Sequence, residues 1–362
     1  MAAHSLKKML TAVDRWYRRQ GRTLPWRVGP VERDAGVLPD PYLVWLSEVM
    51  LQQTTIPHAT PYFDAFRKRW PTVQKLAKAS WEDVSAAWAG LGYYSRARNL
   101  HACAQAVAAR GGFPQDAKGL RELPGIGPYT SAAIASIAFD ERIAPVDGNI
   151  ERVVSRLWAI GSDGTEAGWR AAKVVISGKA QEMAEALPKE GRAGDLAQAL
   201  MDLGATVCTP RNPNCLICPI WDFCEARKEG EQERYPVKAE KKATPTRYGS
   251  AFVLTRGGEV LLVRRPPTGL LGGMMMPPSS AWTEVKGEPL EGAPGNFAWL
   301  HVGEVRHVFT HFALRLDVWT AEAGSKTKVD GEWLTHADAL AATPTVGRKA
   351  LALVLKATAK RR

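Results

Sequence analysis

The chain has 362 residues and a formal net charge of +11, from 48 Lys and Arg against 37 Asp and Glu. This length predicts two or three domains with an ample core, and the lack of any run of eighteen apolar residues argues against a membrane-spanning protein. The basic balance favours a polyanionic partner such as nucleic acid.

Residues 1–226 are rich in Ala, Leu and amphipathic periods, which predicts helices. One of them, residues 42–54 (YLVWLSEVMLQQT), is apolar over most of its surface, and Glu48 is its only charge. A carboxylate in such a helix must face a cleft, pair with a cation, or have a pKa raised by desolvation. A raised pKa is what a general acid needs at neutral pH. The alternative, a Glu on the solvent face, is weakened by the scarcity of other polar residues around it.

A glycine-containing turn separates two helical segments within residues 123–139, LPGIGPYTSAAIASIAF. Gly125 and Gly127 permit a tight, open backbone turn, and Pro128 suits the first position of the following helix. Such a hairpin points unpaired backbone N–H groups outward at a helix N-terminus, a geometry that binds phosphate. A plain connection between two helices is the alternative, and the pattern by itself does not decide between them.

An apolar stripe at helical spacing predicts the next helix, within residues 143–158. The stripe consists of Ile150, Val153, Val154, Leu157 and Trp158. Asp147 and Asn149 stand at its start, where the ordinary role of either residue is an N-cap.

Four of the five cysteines fall within seventeen residues, in the spacing C-x6-C-x2-C-x5-C. They are Cys208, Cys215, Cys218 and Cys224. Thiolates this close together select zinc or an iron–sulfur cluster, and a single C-x2-C knuckle favours a [4Fe–4S] cluster over zinc. Two disulfides are the other alternative, but the N-terminus MAAHSLKKML lacks the apolar stretch of a secretion signal. The fifth, Cys103, is predicted to pack within a helix.

Charged residues with few apolar ones mark a linker at residues 227–247. The texture then changes to strands: YGSAFVLT and EVLLVRRP are joined by a glycine turn, and HVFTHFALRLDVWTAE is another alternating run. A helical segment closes the chain. The sequence therefore predicts a multidomain protein, with an all-α domain at residues 1–226 and an α+β domain at residues 248–362.

Several of these motifs resemble one known superfamily. The hairpin LPGIGPYT, the VDGN aspartate and the cysteine quartet together resemble the helix–hairpin–helix DNA glycosylases, and WLSEVMLQQT and GLGYYSRARNLH resemble the adenine-specific branch. The match runs from about Trp16 to Cys224. It implies a six-helix part at about residues 42–150 and an iron–sulfur part made of residues 1–41 with 151–226.

The resemblance also implies a substrate and a setting. We expect a monomeric protein of the bacterial cytoplasm, associated with the nucleoid, that binds duplex DNA containing adenine opposite 8-oxoguanine or guanine. An enzyme of this kind flips the target nucleotide into a pocket.

Catalytic roles follow from the same resemblance. Glu48 would protonate adenine and Asp147 would stabilise the oxocarbenium-like sugar, as paired carboxylates do in glycoside hydrolysis. Asn149 and Tyr129 would support Asp147. Superfamily members that also cut the strand carry lysine where this chain has Tyr129, and a phenol cannot form a Schiff base, so we expect a monofunctional enzyme.

Further positions carry over individually. The adenine pocket would be formed by Trp26, Arg27, Leu51 and Gln198. Gln53 and Tyr93 would wedge into the duplex beside the flipped base. Thr54 and Leu91 would contact the region of the opposing base. Ordinary core packing is the alternative for Leu51 and Leu91. Residues Val28–Asp40 are longer than the usual link to the Glu48 helix, and we expect a surface loop there.

The C-terminal domain resembles the Nudix hydrolases at VLLVRRPPTGLLGGM, but no glutamate-dense helix follows to hold magnesium. The resemblance therefore implies recognition of 8-oxoguanine instead of hydrolysis. Phe309, Thr310 and His311 are the candidates, with a simple strand position as the alternative for His311. Packing of Met274–Met276 is an open point, because that stretch is often aromatic in relatives.

Two other functions remain to be weighed. One is a monofunctional mismatch glycosylase of different base specificity on the same scaffold. The other is a non-catalytic iron–sulfur protein that binds DNA damage, although a pure binder has no use for both Glu48 and Asp147.

Overall fold

The computed structural model describes residues 3–240, 244–266 and 269–359. Parts of the predicted linker (241–243) and of the Nudix-like opening (267–268) lie outside the described residues. The chain divides into two compact units, the first running up to Trp81 and from Arg96 to the linker. The second unit combines Glu82–Ser95 with the chain after the linker. Each unit is defined by contacts in space, so it need not be continuous in sequence.

Helices make up the chain before the linker, as predicted. They are α1 Ala3–Gln20, α2 Pro30–Asp34, α3 Pro41–Leu51, α4 Ile56–Arg69, α5 Val73–Ala77, α6 Trp81–Ala87, α7 Tyr94–Ala109, α8 Ala117–Leu120, α9 Pro128–Phe139, α10 Gly148–Leu157, α11 Glu166–Glu185, α12 Ala193–Thr206 and α13 Glu225–Lys228. Among the described residues, no helix has the length and apolarity needed to cross a membrane.

The insertion at Val28–Asp40 is not merely a surface loop, because it contains the short helix α2. Charged side chains hold this helix in place. Arg33 pairs with Asp140, while Asp34 accepts hydrogen bonds from Arg18 (2.7 Å) and Arg192 (2.5 Å). Asp40 then caps α3 by accepting from the backbone N–H of residue 42. The insertion therefore ends in an ordinary helix start.

The first unit has a core shared by α1, α10, α11 and α12. The predicted stripe of α10 is confirmed: its first four members are buried there, and Trp158 packs at the edge. Gly194 and Gly204 let α12 come close to its neighbours, since a Cβ would lie 2.7 Å from the Ser136 carbonyl oxygen and 2.6 Å from Asn149 Cβ, respectively. These glycines bring α9, α10 and α12 together.

The second unit contains a mixed sheet and two closing helices. The elements are β1 Thr246–Arg256, β2 Glu259–Arg264, β3 Met275–Met276, β4 Leu300–Val308, β5 Ala313–Glu322, β6 Glu332–Thr335, α14 His336–Ala342 and α15 Thr345–Ala359. The sheet order is β3-β2-β1-β5-β4, with β6 on β2; β1 and β5 run parallel and the other pairs antiparallel.

Three details of this unit differ from the sequence reading. Strand β1 begins at Thr246, inside the segment predicted as linker. The alternating run at 307–322 is a hairpin of β4 and β5 and not one strand. The closing helical segment is two helices, because Pro344 disfavours helical backbone at the residue before it. Met275 and Met276 are buried in the core, so the methionine stretch does pack.

Candidate active site

A cavity of about 290 Å³ opens in the first unit, between α3, α9, α12 and the start of α10. Eight of the predicted residues line it together: Trp26, Arg27, Glu48, Leu51, Tyr129, Asp147, Asn149 and Gln198. They come from segments spread over nearly half of the chain, between Trp26 and Gln198, so the fold assembles what the sequence only suggested.

Glu48 lies in this cavity on α3 and is 8% exposed. Burial raises its pKa to about 7, because the charged form loses its hydration. A hydrogen bond with Tyr129 lowers the pKa, the charge of Asp147 raises it, and that of Arg27 lowers it, in decreasing order of effect. The carboxyl group is therefore half protonated near neutral pH.

Tyr129 is the second residue of α9, directly after the glycine hairpin. Burial raises the pKa of its phenol well above the ordinary value, and the neighbouring charges of Glu48 and Asp147 raise it further. The phenol therefore stays neutral and acts as a hydrogen-bond donor to Glu48.

Asp147 is both an N-cap and a cavity residue. Its carboxylate accepts from the backbone N–H groups of Asn149 (2.9 Å) and Ile150 (2.7 Å), and from the side-chain amide of Asn149 (2.8 Å). An N-cap role for Asp147 is thus compatible with a catalytic role, because the capping hydrogen bonds fix the position of its carboxylate.

Arg152 connects this site to the cysteine-bearing segment, a link that the sequence did not reveal. Its guanidinium donates to Asn149 Oδ1 (2.8 Å), to the Gly204 carbonyl (2.6 Å) and to the Cys208 carbonyl (2.7 Å). One side chain therefore ties the start of α10 to the end of α12 and to the first cysteine.

A second group that sequence reasoning missed stands behind Arg27. Asp202 on α12 accepts a hydrogen bond from Arg27 Nη1 (2.8 Å) and two from Arg22, through its backbone N–H (2.7 Å) and Nε (2.6 Å). Arg22 also lines the cavity. The only sequence signal for Asp202 is a charge among the apolar residues in the second half of α12, similar to the signal that drew attention to Glu48.

The remaining cavity residues are firmly held. Trp26 is buried edge-on against Phe63, with ring centroids 5.2 Å apart, so the long insertion does not displace it. Gln198 Nε2 donates to the Gly194 carbonyl at 3.2 Å, so its side chain is held within its own helix.

The hairpin has the conformation that its glycines permit. Gly125 has a φ of 73°, and a Cβ there would lie 2.5 Å from Asn99 Cβ, so only glycine fits. At Gly127, the N-cap of α9, no atom lies within 4 Å of where a Cβ would be. The backbone is thus open at the helix N-terminus, where a phosphate would bind.

The predicted wedge residues share an unusual backbone. Gln53, just after α3, has a φ of 57° and Tyr93, in the second unit, a φ of 50°. Left-handed backbone at non-glycine residues is strained and concentrates at functional sites. Thr54 accepts a hydrogen bond from Arg96, at 3.2 Å. Leu91 is buried, in keeping with its core alternative.

The candidates for 8-oxoguanine recognition form the turn between β4 and β5. Phe309 packs on Trp282 and Phe312, with centroids 5.7 and 4.9 Å away, whereas Thr310 and His311 are exposed. The strand alternative for His311 is therefore wrong: the chain reverses there, and the side chains at the tip are presented to solvent.

The four clustered cysteines are free thiols that line one small cavity beside α10. Arg156 serves this cavity: its Nη1 donates to Cys208 Sγ at 3.3 Å and to the Thr209 carbonyl at 2.7 Å. Four unpaired sulfur donors around one cavity suit an iron–sulfur cluster, and the structure contains no disulfide among the described residues. Cys103 is buried in α7, as predicted.

Comparison with known proteins agrees with this arrangement. Residues 46–175 match the model of the HhH-GPD superfamily base excision DNA repair protein, residues 208–224 the iron-sulfur binding domain of endonuclease III, and residues 250–353 the NUDIX domain. A thermostable thymine-DNA glycosylase shares the fold of the first part, with a TM-score of 0.51 and 24% identity over 62% of this chain and 98% of that one.

Relatives extend over most of the chain. The adenine DNA glycosylase of Homo sapiens is 35% identical over 89% of this chain and 69% of its own length. That of Mycobacterium tuberculosis is 38% identical over 66% of this chain and 72% of its own length. The chain therefore belongs to the adenine DNA glycosylase family of N-glycosyl hydrolases in base excision repair, with an endonuclease III-type iron–sulfur binding domain and a C-terminal Nudix-like domain.

Proposed function

We propose that this protein removes adenine opposite 8-oxoguanine or guanine from duplex DNA by hydrolysis, without cutting the strand. The observation that carries the proposal is the pairing of Glu48, whose pKa is about 7, with the capped carboxylate of Asp147 in one cavity. Two carboxyl groups whose environments differ are suited to opposite roles, one as an acid and one as an anion.

The chemistry follows from these two roles. A flipped adenine enters the cavity and its N7 accepts the proton of Glu48. The bond from C1′ to N9 breaks, its electron pair leaves with the adenine, and Asp147 stabilises the cationic sugar. A water oxygen then bonds to C1′, and the Glu48 carboxylate takes the proton that this water loses.

Strand cutting has no nucleophile in this cavity. None of the described residues that line it is a lysine, and Tyr129 stands where lysine would be needed for a Schiff base. The product is therefore an intact strand with an abasic site. Cutting of that strand with a borohydride-trapped lysine adduct would contradict this proposal.

Recognition of the opposite base belongs to other surfaces. The exposed turn with Thr310 and His311 offers a hydroxyl and an imidazole to 8-oxoguanine, and Thr54 and Leu91 belong near the same base. Gln53 and Tyr93 are the proposed wedges, and the hairpin at Gly125 and Gly127 the proposed phosphate site. In this proposal a catalytic domain at residues 1–226 and a recognition domain at 248–362 are joined by the linker, in a monomer.

The cysteine cavity would hold the iron–sulfur group through Cys208, Cys215, Cys218 and Cys224. Its structural role would be to link the chain between the end of α12 and the start of α13, away from the cavity that holds Glu48 and Asp147. Arg152 and Arg156 brace the first cysteine against α10.

Single-turnover excision of adenine opposite 8-oxoguanine tests the catalytic assignment. We expect Glu48→Gln and Asp147→Asn each to lose at least about a hundredfold in rate, the scale of general acid catalysis. Glu151→Gln is the matched control, because this acid lies on the same helix as Asp147 but outside the cavity. Near wild-type excision by Glu48→Gln would overturn the proposal.

A panel of duplexes tests the specificity. Adenine opposite 8-oxoguanine should be excised fastest. His311→Ala should lower the ratio of this excision rate to the rate for adenine opposite guanine. Faster release of another base from any mismatch would favour the alternative of a differently specific glycosylase.

A further inference from the structure

One buried carboxylate near the cavity has no part in the proposed chemistry. The side chain of Asp202 has no exposed surface, and its two oxygens accept three hydrogen bonds of 2.6–2.8 Å from Arg22 and Arg27. Charge-assisted bonds of this length are strong, and a buried ion is tolerated where its partners are complete. The carboxylate is therefore the anchor of both arginines.

Both arginines face the active site. Arg22 and Arg27 line the same cavity as Glu48, and the Arg27 side chain is only 8% exposed. A guanidinium cannot release its proton, so each is a permanent positive charge. Such a charge favours the carboxylate form of Glu48, which is the wrong form for an acid.

Besides Arg27, two ionisable groups act on Glu48. From α9 comes Tyr129, which is neutral; from the start of α10 comes Asp147, whose charge favours protonation of Glu48. From the segment before α2 come the two arginines, and α12 supplies Asp202 directly behind them. Asp202 is the carboxylate that both arginines contact.

We propose that Asp202 is a positioning residue of this enzyme: it fixes Arg22 and Arg27 against the cavity wall and balances their charge, so that Glu48 keeps its proton until the base accepts it. The proposal rests on the role of Glu48 proposed above. It also explains why α12, an otherwise apolar helix at this point, carries a charge with no access to solvent.

The pH dependence of single-turnover adenine excision tests the proposal. The wild-type rate should fall as pH rises through the pKa of Glu48. In Asp202→Asn this fall should move to lower pH by about one unit, since an unbalanced cation that faces the same cavity favours the carboxylate form, and a close opposite charge lowers a carboxyl pKa by about one to three units. The rate at a pH on the falling limb drops about tenfold for each unit.

Asp195→Asn is the matched control. Asp195 is another buried carboxylate on α12, but it pairs with Arg192 at 3.4 Å and does not line the cavity. Its variant should keep the wild-type position of the limb. Adding Arg27→Met to Asp202→Asn should return the limb toward higher pH even though Arg27 itself contributes to binding. A wild-type limb in a folded Asp202→Asn protein overturns the proposal.

A second variant covers the case in which Asp202→Asn does not fold, as judged by circular dichroism and cluster absorbance. Arg27→Met alone leaves Asp202 paired with Arg22 and removes one cation, so its limb should move up; a limb that does not move contradicts the charge-balance role. Glu48→Gln separates the two proposals: if its residual activity keeps the same limb, the limb does not report Glu48 and the general-acid assignment fails instead.

Discussion

Glu48 combines a chemical advantage with a cost in stability. Its pKa is raised from 4.5 to about 7 by burial, so between these values the folded protein binds a proton that the unfolded chain has released. The stability contribution of this group is therefore most favourable at low pH and falls as pH rises through that window. Above pH 7 the protein carries a buried carboxylate that has lost its hydration.

We expect Glu48→Gln to stabilise the protein relative to wild type at pH 8, by about 2–3 kcal/mol, and by much less at pH 5. The amide cannot ionise, so it avoids the desolvation of a charge. Urea unfolding at the two pH values measures the difference. Glu182→Gln, at an exposed position of α11, serves as control; an equal gain at both pH values would show that ionisation of Glu48 is not the cause.

Tyr129→Phe should shift the same titration in the opposite direction to Asp202→Asn. The hydrogen bond from the phenol lowers the pKa of Glu48, whereas burial raises it. Removal of this hydrogen bond should therefore raise the pKa further. The falling limb of the excision profile should therefore move to higher pH while the rate at low pH decreases. A limb that moves down would mean that Tyr129 does not stabilise the carboxylate form.

At the scale of elements, α12 packs closely against the start of α10, which lines the cavity. Gly204 lies against Asn149, the residue that follows the cap of α10. Gly178 on α11 is exposed, with no atom within 4 Å of the position that a methyl group would take. Both glycines lie within helices, but Gly204 is packed against a neighbouring helix and Gly178 faces solvent.

Gly204→Ala should therefore destabilise the protein by about 1–3 kcal/mol and slow excision, because a methyl group forces α12 away from Asn149. Gly178→Ala should instead add about 0.5–1 kcal/mol, as alanine is the better helix former. Thermal unfolding followed by circular dichroism compares the pair. Equal effects from both substitutions would mean that helix propensity, and not packing, controls this contact.

A further element-scale consequence concerns Arg152, which links α10, α12 and the first cysteine. Arg152→Met leaves the Cys208, Gly204 and Asn149 oxygens without this donor, so we expect faster loss of cluster absorbance and at least about tenfold slower excision. Arg170→Met, on the exposed side of α11, is the control. An unchanged excision rate would show that Asn149 keeps its position without Arg152.

At the scale of the whole molecule, the net charge of +11 governs the encounter with DNA. Basic residues that neutralise phosphates release counterions, so binding weakens as salt rises. This term adds affinity for any duplex and does not distinguish the base opposite adenine.

We expect the affinity of Glu48→Gln for a mismatched duplex to fall by about a thousandfold between 50 and 200 mM salt, if about six phosphates are neutralised. Fluorescence anisotropy gives the slope, and the inactive variant keeps the substrate intact. The preference for 8-oxoguanine over guanine should change far less across this range. A preference that disappears with salt would assign it to charge and not to the recognition turn.

Local signals explain why so much could be predicted. The cap at Asp147, the tight turn at Gly125 and the cysteine spacing each depend on a few neighbouring residues. The same is true of Glu48, a lone charge in an apolar helix. The helical and α+β parts and the cysteine site therefore follow from short stretches of chain, whereas most of the cavity residues were predicted from the family resemblance.

Distant contacts were beyond the same reasoning. Arg22 and Asp202 are 180 positions apart, and Arg152 meets Cys208 over a separation of 56. The residues around each of these positions give no indication of which distant residue it will contact. The helix in the Val28–Asp40 insertion was also missed, because its short length gives no periodicity and its charged side chains are satisfied by residues far along the chain.

The sequence by itself thus predicted the order of the domains from composition and periodicity, and the family and the pairing of Glu48 with Asp147 from the resemblance of its motifs. Only the tertiary structure decided how Glu48 holds its proton. The pKa of Glu48 depends on burial, on Tyr129, on Asp147 and on Arg27, the arginine that Asp202 holds, and such an environment exists only after distant segments have packed together.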